Sequence, residues 1–363
     1  MNRINFSGPV NSLSFGNVSV NMLREFYKKD LKISFFPIGE NLDFTSFDKA
    51  SNDFQKWVAD SVNTRFSTLS KDSPSLKMWH LNGSESRIGR KQYLYTFYEC
   101  NSPTFAEKNI CDIQDKCIFS STHSKESFEN VGCNNVDFVP IGFDNDFFKT
   151  DKEYLKGKVH FGLMGKFEKR KNTAKILKLW AKKYGNNNDY QLTCCITNPF
   201  FKPEQMNQVI HQTLEGQRYT NINFLPFLKT NSEYNELLNA IDIDLTGLSG
   251  AEGWNLPAFN STCLGKWSIV LKHTSHKDWA TPENSILVSP DGEEEIYDGA
   301  FFHKGAEFNQ GVLNTFSEES FNKATDTAIN KCNNINSEGE KLKDKFTYEN
   351  TVNQILNIIE NGS

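Results

Sequence analysis

Short apolar runs alternate with helix-period segments twice along this chain, and few architectures accept that pattern. The first series runs Ile4 to Phe6, Val18 to Phe26, Ile33 to Ile38, Asp53 to Val62 and Leu76 to Leu81. It continues through Tyr93 to Tyr98, a helix capped by Ser102 with Pro103 at its first position, Lys116 to Ser120, Lys125 to Val131 and Val136 to Pro140. Strands separated by helices pair in parallel, with the crossover helices covering the sheet. From Phe148 to Lys158 charge replaces apolar periodicity, as in a linker. A second series follows: Val159 to Met164, Thr173 to Tyr184 closed by Gly185, Gln191 to Ile196, Glu204 to Leu214, Ile222 to Leu225, Ser232 to Ala240, Ile241 to Leu245, Leu256 to Leu264 and Trp267 to Leu271. At 363 residues the chain exceeds what one core supports. The pattern predicts an α/β protein of two Rossmann-like, doubly wound domains, 1–150 and 151–335. In the tail, 336–363, Phe346, Val352, Ile355, Ile358 and Ile359 share a helical period, so a C-terminal helix is expected to cross back and pack on the first domain.

Composition narrows the partners. The formal net charge of -5 gives no global basic footprint, so small anionic partners fit better than long polyanions, with a local basic patch still open. The 8 cysteines show neither a CxxC pair nor a Cys/His metal spacing, and read as buried thiols of a reducing compartment. Met1 to Gly8 lacks the charged and apolar regions of a leader, and no run of about 18 apolar residues is present. A cytoplasmic protein without a membrane span is expected.

Two segments concentrate chemistry. Ser249-Gly250-Ala251-Glu252-Gly253-Trp254-Asn255-Leu256-Pro257 follows the run Ile241 to Leu245 and precedes a helix, so backbone N–H groups and a helix dipole aim at one spot beside a single carboxylate. Alone, Glu252 reads as a helix cap or first-turn carboxylate. The second segment, Gly165-Lys166-Phe167-Glu168-Lys169-Arg170-Lys171-Asn172, places four cations in six positions before a helix. By itself this run reads as a solvated turn; beside the Glu252 loop it reads as a diphosphate site, because the cations repel unless an anion sits among them.

Together, Gly165-Lys166, Arg170-Lys171 and Glu252-Gly253-Trp254-Asn255-Leu256-Pro257 resemble the donor domain of retaining, family 4 glycosyltransferases of the GT-B fold. Phe97-Tyr98-Glu99 with Asp115, Ser120-Ser121, Val139 to Asp144 with Phe148, and Phe346-Thr347-Tyr348 extend the resemblance in the expected order. It implies two domains facing a cleft, and metal-independent transfer of a sugar from a UDP- or GDP-sugar to an acceptor hydroxyl. Lys166 and Lys171 would bind the diphosphate with Arg170 as helper. Glu252 would touch sugar hydroxyls, with Gly250, Gly253, Trp254, Asn255 and Leu256 forming the surrounding donor loop. The second glutamate of the family pattern, eight positions on, is Asn260 here. Asn260 keeps a hydrogen bond to the ribose but loses its charge, which puts donor choice and activity in question. His276 to Asn284, Phe301 to Gly305 and Asn309 to Gly311 are similar to glycosyltransferase-like proteins of large tailed phages. That likeness implies the host cytoplasm and a glycan, a protein or a hydroxymethylated DNA base as acceptor.

The first domain offers fewer candidates. Gly8-Pro9 and Gly16 mark the loop expected to face the cleft, where glycine lets backbone approach the donor, although a plain turn accounts for them too. His80, after Trp79 at a strand end, sits on the edge where open sheets place ligands; the resemblance implies a place beside the reacting sugar, and a lone histidine also reads as a hydrogen-bonded structural residue. Glu99 either orients the acceptor or pairs with Arg87 or Arg90. His273, His276 and Asp278 lack a clear third ligand spacing, and no metal or other cofactor is expected. An epimerase of the same fold and a non-catalytic sugar-binding relative remain alternatives. No GxGxxG follows the first strand of either series, which argues against a dehydrogenase.

Overall fold

The structure, a computed structural model, describes residues 3–362. Its first sheet holds β1 (Arg3–Gly8), β2 (Lys32–Pro37), β3 (Ser75–Met78), β4 (Gln92–Thr96), β5 (Lys116–Phe119) and β6 (Val136–Phe138) in the order β2-β1-β3-β4-β5-β6, all parallel. Crossovers are α1 (Ser14–Lys28), α2 (Asn52–Asn63), α3 (Arg65–Thr68), α4 (Phe105–Asp112) and α5 (Thr122–Asn130). β7 (Val159–Met164), β8 (Tyr190–Cys195), β9 (Ile222–Phe224), β10 (Ile243–Asp244), β11 (Trp267–Leu271) and β12 (Ile286–Val288) form the second sheet, order β12-β11-β10-β7-β8-β9, also parallel. Its helices are α6 (Thr173–Tyr184), α7 (Pro203–Thr213), α8 (Asn231–Ala240) and α9 (Leu256–Cys263). Both domains are therefore doubly wound, and each has one point where strand order reverses: between β1 and β3, and between β7 and β10. Open α/β sheets place ligands outside the carboxyl ends of the strands at such points.

Three parts of the second half escape the apolar pattern: β12, the antiparallel hairpin β13 (Gly292–Glu295) and β14 (Val312–Thr315), and α10 (Glu318–Lys331). The loop between β13 and β14 reaches the first domain. Thr104 Oγ1 donates to Glu307 O at 2.5 Å, Asn309 N to Glu107 Oε1 at 2.8 Å, and Val312 N to Asn101 Oδ1 at 3.1 Å. Ile296, Phe302 and Leu313 share a core cluster with Leu94, Tyr98 and Phe128 of the first domain.

Two local expectations change. Thr104, not Ser102, caps α4, because Thr104 and Glu107 close a reciprocal capping box (Glu107 N to Thr104 Oγ1 3.2 Å, Thr104 N to Glu107 Oε2 2.8 Å) and Pro103 lies outside the helix. The tail is also not one helix: α11 (Ser337–Glu340) and α12 (Leu342–Lys345) end before Phe346, and Thr347 caps α13 (Tyr348–Asn361). Phe346 breaks the period because its ring enters a cluster with Trp254 and Phe259 while its carbonyl accepts from Phe143 N at 2.8 Å. Beyond the break, α13 lies on the first domain, with Thr351 Oγ1 donating to Pro140 O at 2.8 Å and Tyr93 Oη to Ile359 O at 3.2 Å.

The segment joining the sheets is held by a ladder of asparagines on α8. Asn231 Nδ2 donates to Asp146 Oδ2 (2.9 Å), Asn235 Oδ1 accepts from Phe148 N (2.9 Å), and Asn239 Oδ1 accepts from Thr150 N (2.9 Å). The spacings match, since four helical residues rise about 6 Å and two extended ones advance about 6.6 Å. Asp146 also takes Arg24 NH2 of α1 at 3.0 Å, which ties the first domain to this segment.

Candidate functional site

At the reversal point of the second sheet, β7 runs into Gly165 and β10 into the Glu252 loop. Gly165 takes φ +98°, a conformation that suits glycine, and turns the chain so that Lys166 and Lys171 face the cleft. Asn172, at φ 55°, opens α6, and its Nδ2 donates to Leu248 O and Asn314 O, both at 3.0 Å. It thereby binds the basic turn to the Glu252 loop. Arg170 adds to this, donating through NH1 to Ala251 O at 2.7 Å.

The cations are neutralised from within. Lys166 Nζ lies 2.9 Å from Glu168 Oε1 and Arg170 Nε 3.0 Å from Glu168 Oε2. Arg170 NH1 lies 3.2 Å from Glu252 Oε2 and NH2 3.6 Å from Glu99 Oε1, and Lys171 bonds Glu252 Oε1. Ser249 Oγ donates to the same Glu252 oxygen at 2.8 Å. Glu168, inside the basic run, is an anion that the run needs and that the sequence pattern does not single out. Lys169 turns away to the carbonyls of Glu295 and Tyr297. Burial would raise the Glu252 carboxyl, but Lys171 and Arg170 override it and hold the group at about 2. Burial draws Lys171 below its ordinary value, and Glu252 offsets this only in part.

The Glu252 loop is shaped by Asn255, which adopts φ 68° and caps α9. His276 fixes it: its Nδ1 bonds Leu271 O at 2.8 Å, so that nitrogen carries the proton and Nε2 accepts from Asn255 Nδ2 at 3.0 Å. Burial lowers His276 to about 4, so it stays neutral. Asp278 accepts from Thr122 N at 2.9 Å, and His273 faces His123 at 5.6 Å between ring centres. These three residues, weighed as a metal cluster, thus turn to separate partners. Glu252 is not a helix cap, since Asn255 fills that role.

Other expectations shift as well. Gly250 does not present its N–H to a ligand: it donates to Arg170 O at 2.8 Å, and a Cβ there would lie 2.2 Å from Asn314 O. Gly253 and Trp254 do line the cavity. A Cβ on Gly253 would lie 2.8 Å from Phe97 Cβ, and its carbonyl accepts from Ser120 Oγ at 2.7 Å, so this loop abuts the first domain. Gly8 and Gly16 are absent from the cavity wall. A Cβ on Gly8 would lie 2.6 Å from Ser19 Oγ, and one on Gly16, already within α1, 2.3 Å from Asn11 O, so both glycines serve close packing. Arg87 and Arg90 pair with Asp115 and Asp72, leaving Glu99 to Arg170.

Between the two reversal points lies a cavity of about 690 Å³. Lys166, Arg170, Lys171, Glu252, Leu256 and Asn260 line one side; Pro9, Leu13, Phe15, Trp79, His80, Phe97 and Glu99 line the other. Asn260 is buried, and its Oδ1 has no hydrogen-bond partner among the described residues. His80 packs against Phe15 with ring centres 4.1 Å apart and planes tilted by 46°. It faces the cavity, so water reaches it, yet the surrounding protein desolvates it and, with Lys166 and Arg170, outweighs Glu99 to lower its pKa. A neutral imidazole results.

Solved structures share this architecture. Sucrose-phosphate synthase from Thermosynechococcus elongatus superposes with a TM-score of 0.68 at 11% identity, covering 99% of each chain. Anabaena HepE, solved in complex with UDP and glucose, gives 0.65 at 12% identity over 99% of this chain and 100% of that one. The fold is GT-B. The lipopolysaccharide outer core galactosyltransferase WaaB gives 0.58 at 14%, over 98% and 99% of the two chains. At these identities the likeness speaks for the GT-B fold alone, and no family model or curated protein sequence matches the chain. Among the described residues no helix is long and apolar enough to cross a membrane.

Proposed function

We propose that the protein is a retaining, metal-independent glycosyltransferase that moves a sugar from a UDP- or GDP-sugar to an acceptor hydroxyl. The reading rests on one observation: Lys166, Arg170, Lys171 and Glu252 converge at the reversal point of the second sheet, on a cavity whose far wall belongs to the first domain. On this reading residues 1–150 serve the acceptor, 151–335 hold the donor, and 336–363 cross back.

A diphosphate entering the cavity draws Lys171 from Glu252 and takes Lys166 with it. Glu252, released, accepts from sugar hydroxyls, and the N–H groups of Gly253 and Trp254 face the same ligand. Asn260 Oδ1 gains in the ribose hydroxyl the partner it lacks. The bond from the anomeric carbon to the diphosphate breaks with its electron pair leaving on the diphosphate, where the cations stabilise it. The acceptor oxygen bonds the same face of that carbon, and its proton passes to the departing phosphate oxygen. Neutral His80 stands on the acceptor side of the reacting sugar. The cations carry the charge that a metal would otherwise supply.

HepE, of the same fold, is solved with UDP-glucose, which makes UDP-glucose the first donor to try. Release of UDP or GDP across a donor panel tests the reading, and no release from any donor would sink it. Isomerisation of the sugar with donor alone would instead identify an epimerase.

A further inference from the structure

A second cavity of about 420 Å³ lies against the first, on the other side of Trp79, His80, Phe97 and Glu99. Its roof is Phe308 and Asn309 from the β13–β14 loop, and its floor includes Asn82 and Gly83. Among the described residues no lysine or arginine lines it, whereas two carboxylates do. Those carboxylates differ. Glu107 is spent inside the protein, accepting from Thr104 N, Tyr98 Oη and Asn309 N. Among the described residues the ion-pair partner of Glu99 is the guanidinium of Arg170, at 3.6 Å, beyond hydrogen-bond reach. No described residue bonds the side chains of Asn82 or Asn309, or accepts from Trp79 Nε1, and Trp79 is only half-buried.

We propose that this second cavity seats the acceptor, and that the acceptor is an uncharged carbohydrate stacked on Trp79 with its hydroxyls on Glu99 and Asn82. The inference rests on the transferase reading above. Three features of the wall select the ligand. An aromatic ring presents a negative face, which the C–H groups of a pyranose meet favourably. A carboxylate with open lone pairs accepts hydroxyl protons, and an amide both donates and accepts. A polyanion would bring phosphates against Glu99 and Glu107, while the nearby cations are already engaged, Lys77 on the Gly83 carbonyl and Arg170 on the carboxylates of the first cavity. The location fits as well, because the guanidinium of Arg170 spans Glu99 at 3.6 Å and Glu252 at 3.2 Å. A sugar held on Glu99 therefore lies one guanidinium away from the donor carboxylate.

The full chain, saturated with UDP, is titrated calorimetrically with maltose, cellobiose, lactose and their trisaccharides, with a duplex containing 5-hydroxymethylcytosine, and with a serine/threonine-rich peptide. At least one neutral sugar is expected to bind, and the duplex and peptide are not. Asn82→Ala, an exposed position on the second cavity alone, should weaken that sugar about fivefold, the loss of a hydrogen bond or so, with UDP affinity unchanged. Trp79→Ala should weaken it roughly tenfold or more. No sugar binding, binding of the duplex or peptide in its place, or a sugar indifferent to both substitutions overturns the assignment. UDP affinity measured in the same cell separates the two claims: failure of UDP to bind sinks the donor reading, while UDP binding without sugar binding overturns the acceptor assignment alone.

Discussion

Glu252→Gln should make the ligand-free protein much less stable and at the same time make it bind UDP more tightly. In the free protein the Glu252 carboxylate is the shared anion of Lys171 and Arg170, Glu252 and Arg170 being buried and the Lys171 side chain 10% exposed. Removing one partner of a buried ion pair costs about 3 to 5 kcal/mol. Glu168 and Glu99 still serve Arg170, which places the expected loss toward the lower end. At about 2 to 4 °C per kcal/mol for a domain of this size, the midpoint of thermal unfolding should fall by roughly 6 °C or more. UDP supplies the missing charge. In the wild type its phosphates must first displace Glu252 from Lys171; in the variant they need not, so affinity should rise by roughly tenfold or more, the worth of a charge-assisted bond of about 1.5 to 3 kcal/mol. Sugar transfer should nevertheless slow, since the hydroxyl acceptor is weakened. The acid limb provides a second check. The Glu252 carboxyl is held at about 2 against an ordinary 4.5, so its stabilisation is complete above pH 4.5 and disappears as pH falls toward 2. That depression is worth roughly 3 kcal/mol, and the gap between wild type and variant should close over the same window. Differential scanning fluorimetry with and without UDP, across pH, measures all of this. A variant as stable as the wild type that binds UDP more weakly would refute the idea that Glu252 holds the cations in reserve.

Lys171→Ala should lower UDP affinity by about 1.5 to 3 kcal/mol in calorimetry, removing a charge-assisted contact. Asn260→Ala should leave the melting temperature nearly unchanged, because its Oδ1 has no partner among the described residues, yet weaken UDP by about 1 kcal/mol. Gly253→Ala puts a Cβ 2.8 Å from Phe97 Cβ, so transfer should fall while UDP affinity, measured separately, holds. Asn239→Ala removes the bonds to Thr150 N and Phe148 O, and chemical denaturation should register a loss of about 1 to 3 kcal/mol.

Apart from the three-residue edge strand β12, the strands of both sheets are legible in the sequence because parallel strands buried on two faces read as apolar runs. Val159–Met164 and Thr173–Tyr184 are even bounded correctly, since Gly165 and Gly185 mark their ends. The hairpin β13–β14 is not legible: Glu293, Glu294 and Glu295 give it neither alternation nor an apolar face. α10 does carry a signal, Ser317 as cap with Phe321, Ala324 and Ala328 buried on one face, but its apolar positions are too sparse to stand out as a run. Within the site, Lys166, Arg170, Lys171 and Glu252 can be found because each pair is near in sequence or sits after a strand. The anions that balance them cannot. Glu168 looks like an interruption of a basic run, and Glu99 meets Arg170 only through the packing of two domains. Gly8 and Gly16 mislead because a glycine near a cleft serves close packing as readily as ligand approach.

The chain passes between the domains twice, and the two passages lie side by side. Phe143 pairs with Thr347, Phe143 N donates to Phe346 O, and a side chain on Gly142 would strike Tyr348 N at 2.1 Å. Two pins on one hinge line leave a pair of rigid bodies a single easy motion, a swing about that line. The asparagine ladder stiffens one pin by fastening residues 146–150 to α8, and the ring of Phe346 between Trp254 and Phe259 acts as its bearing. Opening is then widest far from the hinge, where Glu307, Asn309 and Val312 hold Thr104, Glu107 and Asn101 like a latch. Opening the cleft there must break those three hydrogen bonds and also expose the apolar cluster of Ile296, Phe302 and Leu313 with Leu94, Tyr98 and Phe128.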